Sequence, residues 1–107
     1  MTANPHAGEV AIRVDGATRR MRLTLGALAE VEDAVGADGL VPLIERFEAG
    51  RVRARDVAEV LAAGLRAGGW NVEARDVLTA EIEGGPGAAA RAAAELIARA
   101  FSPPGTA

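Results

Sequence analysis

Between residues 21 and 35 the hydrophobic rhythm of this chain changes, within five positions, from a period of two to a period of three and four. Met21 and Leu23 alternate with Arg20, Arg22 and Thr24, as in a half-buried strand. Leu25, Leu28, Val31 (or Glu32) and Val35 then recur on one helical face. A strand must therefore run almost directly into a helix. Thr24 stands at the junction, where its hydroxyl can accept from a backbone N–H that the first helical turn leaves unpaired. The remaining segments read as layers added to this corner.

Upstream, Val10, Ile12 and Val14 alternate with Ala11 and Arg13, and Asp15-Gly16-Ala17-Thr18 reads as a turn because Asp-Gly tolerates positive φ. Pairing Ile12 with Met21 and Val10 with Leu23 puts the large apolar side chains on one face. A two-stranded hairpin is marginal alone in water, so this face needs a cover.

The cover is helical. The first helix, 25–35, stops at Gly36; a second, 41–49, carries Pro42 in its first turn and buries Leu43, Ile44 and Phe47. A third helix, 54–67, places Val57, Val60, Leu61, Gly64 and Leu65 on one stripe. Gly64 there costs roughly 1 kcal/mol against alanine, which points to a close approach by a neighbouring backbone. Asn71 caps a fourth helix, 72–81, with Val77 and Leu78 inward. After the break at residues 83–87, an alanine-rich last helix runs from 87 or 88 to 101, lightly anchored by Leu96, Ile97 and Phe101. The expected architecture is α+β, mainly α: an N-terminal β-hairpin packed on four to five short helices. Residues 9–101 form one domain (body 9–82, C-terminal helix 87–101), between a disordered lead-in at 1–8 and a disordered tail at 102–107.

Composition limits the function. Twelve basic residues, all arginine, against 15 acidic ones leave a net charge of −3, which disfavours sequence-independent phosphate binding. With no cysteine and a single histidine, His6 in the lead-in, the chain offers no thiolate metal site and no nucleophile–base pair. Gly84-Gly85-Pro86-Gly87 lacks the lysine and serine of a phosphate-binding loop. The carboxylates fall on outward helical positions, so no acid–base pair stands out. We expect no enzyme, no cofactor and no membrane span, and a cytoplasmic protein. A helix-turn-helix reading of the second and third helices would present Arg55, Asp56, Glu59 and Arg66, a mixed-sign face poorly suited to DNA.

The ordered set V-D-G, M-R-L-T-L-G-A-L-A-E-V-E, L-I-E-R-F-E-A-G and A-R-D-V-A-E-V-L-A-A-G-L-R-A-G-G, within residues 10–69, resembles the small tail protein of gene transfer agents and long-tailed phages. That family carries two labels, tail tube protein and tail assembly chaperone. The resemblance implies partners rather than substrates: the tape measure protein and the major tail protein, with self-association as a further expectation. Few strands and many amphipathic helices favour the chaperone; the alternatives are a structural tube or adaptor component and a small DNA-binding regulator. The expected partner-binding surface combines Val57, Leu61 and Leu65 of the third helix with Leu96, Ile97 and Phe101 of the last.

Overall fold

Asp15 and Gly16 adopt φ of 50° and 83°, so the hairpin turns on these two residues alone. Positive φ at both central positions matches the right-handed twist of the flanking strands. The computed structural model describes residues 8–101; the readings of 1–7 and 102–107 fall outside the described residues. Strand β1 (Val10–Val14) pairs antiparallel with β2 (Ala17–Met21), Val10 opposite Met21, Ile12 opposite Arg19 and Val14 opposite Ala17. This corrects the expected register by two residues. Both registers keep Val10, Ile12, Val14 and Met21 on the same face, because a two-residue slip preserves the pleat; the tighter turn selects between them.

Thr24 caps α1 (Leu25–Val35) as its position suggests, its Oγ1 accepting from the Ala27 N–H at 3.1 Å. Helices α2 (Leu40–Glu48) and α3 (Ala54–Ala67) follow the expected periodicity. The first three helices end alike. Ala37, Arg51 and Trp70 each donate to the carbonyl five residues earlier, with Gly36, Gly50 and Gly69 in the left-handed region just before them.

Helix α4 (Ala74–Thr79) is shorter than expected and starts later. The same four residues, Ala-Arg-Asp-Val, open α3 and α4. In both, the aspartate accepts the N–H of the residue preceding the helix: Asp56 from Arg53 and Asp76 from Glu73, each at 2.9 Å. Asn71 is thus not the cap, and Val72 is a buried residue of the preceding loop.

Residues 81–83 leave the helical path altogether. Ile82 bridges antiparallel to Val14, the Asp15 N–H donates to the Glu81 carbonyl at 2.8 Å, and the Glu83 N–H donates to the Arg13 carbonyl at 3.1 Å. The second edge of β1 is therefore occupied.

Helix α5 (Gly85–Ala100) begins two to three residues earlier than expected, with Pro86 in its first turn. Leu96 and Ile97 lie in the core at 0% and 1% exposure, so the second half of α5 is firmly packed. At the centre is α3, which touches α1, α4, α5 and β2. A side chain at Gly64 would meet Leu96 Cδ1 at 2.9 Å and Met21 Cβ at 3.1 Å. Packing is the reason for that glycine: the end of β2 comes close enough for the Arg22 N–H to donate to the Gly64 carbonyl at 3.2 Å, while Leu96 closes in from α5.

Candidate partner-binding groove

Where α3 begins, where α4 ends and where α5 begins, the core does not close. Among the described residues these elements border an open groove of about 1230 Å³. Its floor is Phe47, Leu61 and Val77, all buried core side chains. Its walls are built largely of small residues: Ala54 and Ala58 from α3, Ala89, Ala90 and Ala94 from α5. An alanine-rich helix packed beside another leaves unfilled the volume that a leucine would take. The stretch of α5 that has little to bury therefore forms a concave wall.

Each wall is held by its own local chemistry. Asp56 fixes the start of α3 from a position 3% exposed. Residues 81–83 are pinned to β1, and the Arg13–Glu83 ion pair (3.1 Å) ties the strand to the segment that leads into α5. At the same place Asp15 Oδ1 accepts from the Glu81 N–H at 2.8 Å, so the hairpin turn also anchors the groove.

The six residues expected to bind a partner fare differently. Leu61, Leu65, Leu96 and Ile97 are each no more than 1% exposed. Leu65, Leu96 and Ile97 pack the core and do not line the groove, whereas Leu61 forms part of its floor. Phe101 is half-buried at the end of α5. Val57 is half-buried and lines the groove. Leu78, expected inward, is 46% exposed at the groove, since it lies about 100° round the helix from the buried Val77. The groove alanines and Arg91 were not singled out by the sequence. The signal available was the run of alanines after Pro86, too small to fill the space beside a helix with Val57 on its face.

Arginines tie the rest of the body together. Arg66 donates to Glu30 Oε1 at 2.6 Å and to the Val72 carbonyl at 2.9 Å, linking α1, α3 and the loop before α4. Arg46 caps the carbonyl of Val35 at 2.8 Å. The Arg19 guanidinium stacks on Trp70, 4.2 Å from the ring centroid. No cluster of three or more metal-ligating side chains occurs among the described residues, and no helix there is long and apolar enough to cross a membrane.

No curated protein and no solved structure matches the chain. A family model does: the one described as phage tail tube protein, GTA-gp10, matches residues 7–103, nearly the whole sequence. The hairpin, the groove and the tail-protein motifs all lie inside that span, and the chain belongs to this family of phage tail proteins.

Proposed function

We propose that the protein is a tail assembly chaperone, holding a helical segment of the tape measure protein, of the major tail protein, or of both while the tail polymerises in the cytoplasm. The groove bounded by α3, α4 and α5 is the observation that carries this reading. Membership of a phage-tail family supports partners drawn from the tail. The sheet supports it too: among the described residues it has two strands and one bridge, and both edges of β1 are engaged. At the far end of β2, the Arg22 N–H already donates to the Gly64 carbonyl of α3 at 3.2 Å. A ring built by joining sheets edge to edge needs more free ladder than this.

The test is co-expression with the tape measure and major tail proteins, using Ala90→Trp to fill the groove from a half-buried wall position. The expected result is loss of co-purification with an unchanged circular dichroism spectrum; full co-purification refutes the reading. A second reading, a tube or adaptor subunit retained in the tail, is favoured by the family's description. Quantitative mass spectrometry of purified particles decides between them. A chaperone is absent or far below the abundance of the tube subunit, and a tube component matches it.

A further inference from the structure

We infer that two copies of this chain dock groove to groove about a two-fold axis, the exposed Leu78 of each entering the alanine-walled hollow of the other. This rests on the groove being a docking surface, as proposed above, and names what fills it before a tail protein does.

Knob and hole lie on the same face. Leu25, Val41 and Leu78 are the large apolar side chains exposed among the described residues, and of these Leu78 alone lines the groove. It borders the hollow walled by Ala54, Ala90 and Ala94 without filling it. In a two-fold pair, whatever one copy offers the other receives, and the reverse holds at the same interface. Each leucine then leaves water for the partner copy's alanine surface, which gains the contacts its own small side chains cannot make.

Charge favours a second copy over a foreign partner of one sign. Five charged residues line the groove: Arg13, Arg53, Glu81, Glu83 and Arg91. Arg13 pairs with Glu83 at 3.1 Å, and Arg53 with the buried Asp56 at 3.6 Å. Arg91 and Glu81 remain, both exposed and neither in an ion pair among the described residues. The face is therefore neutral, with one free charge of each sign. A chain of net charge −3 repels its own copy in most orientations, but this face carries no such penalty. Under two-fold symmetry Arg91 of each copy serves Glu81 of the other, whereas an acidic or a basic partner would satisfy one and repel the other. Because the dimer closes both grooves, it and the tail complex exclude each other.

The test is sedimentation velocity of the full chain over a concentration series at low salt, where a monomer–dimer equilibrium is expected. Leu78→Asp should abolish the dimer and leave the circular dichroism spectrum unchanged, since the side chain is already 46% exposed. Arg91→Glu sets glutamate against Glu81 twice per dimer, Glu81→Arg sets arginine against Arg91 twice, and each alone should weaken dimerisation about tenfold. Mixing these two variants should restore a dimer, because each supplies the charge the other lacks, a result that misfolding cannot produce. A chain that stays monomeric, a dimer indifferent to Leu78→Asp, or charge variants that fail to pair when mixed overturns the inference. If the chain is monomeric while Ala90→Trp still blocks co-purification of tail proteins, the chaperone reading stands and self-docking alone falls. If Ala90→Trp abolishes the dimer but not co-purification, self-docking stands and the chaperone reading falls.

Discussion

The α-carbon of Gly68 lies so close to the carbonyl oxygen of Arg20 that no Cβ fits between them. The last residues of β2 thereby rest directly on the C-terminal end of α3, a contact continued by the hydrogen bond from Arg22 to Gly64. Gly68 has φ of −82°, open to any residue, so its requirement is steric rather than conformational. Because the obstructing atom is backbone, Gly68→Ala must push the strand off the helix. A loss of ~2–4 kcal/mol is expected in urea denaturation. Gly64→Ala should cost less, ~1–2 kcal/mol, since Leu96 can rotate away and alanine regains helix propensity. A Gly64 variant less stable than the Gly68 variant contradicts this ordering.

Leu96 and Phe101 stand on the same helix with opposite prospects. Leu96 is fully buried against α3, so Leu96→Ala should cost ~2–5 kcal/mol and Leu96→Asp should unfold the domain. Phe101 is half-buried at the helix end, and Phe101→Asp should cost about 1 kcal/mol or less. Thermal melts followed by circular dichroism separate the two. A well-folded Leu96→Asp protein would mean that α5 is not part of the core.

Arg66 makes one ionic and one neutral contact, which salt should separate. Arg66→Ala should cost ~1–2 kcal/mol through the lost bond to the Val72 carbonyl and the lost packing of its stem. Glu30→Gln removes only the ion pair with an exposed partner and should cost under ~0.5 kcal/mol, vanishing near ~1 M salt. If the cost of Arg66→Ala also vanishes at high salt, the carbonyl contact contributes nothing.

Asp15 has two duties: it holds positive φ in the turn, and its carboxylate accepts from the Glu81 N–H. Asparagine can do both, so Asp15→Asn should be nearly neutral. Asp15→Ala can do neither well and should cost ~1–2 kcal/mol. Hydrogen exchange at the amides of Glu81 and Glu83 should accelerate in the alanine variant alone, because those amides report the seam between β1 and the segment entering α5.

Local signals fixed much of the fold in advance. The bounds of α1 and α3 follow from the apolar spacing together with Thr24, Gly36 and Gly68-Gly69, all within a turn of the helix ends they govern. The start of α4 was also written locally, in the second Ala-Arg-Asp-Val, but a plausible asparagine nearby obscured it. The hairpin register was ambiguous because alternation cannot distinguish a slip of two residues.

By itself the sequence determined a mainly helical α+β domain, a one-sided hairpin and a resemblance to tail proteins, because periodicity, capping and turn chemistry act over a few neighbouring residues. Only the tertiary structure decided that Leu96 and Ile97 are core, that Ile82 bridges to β1, and that the alanines of α5 border a groove beside Arg91. These depend on which surfaces meet across dozens of residues. Whether a helical stripe is buried or offered is settled by the volume its neighbours leave, and at Leu96 that volume comes from Gly64, 32 residues before it in the chain.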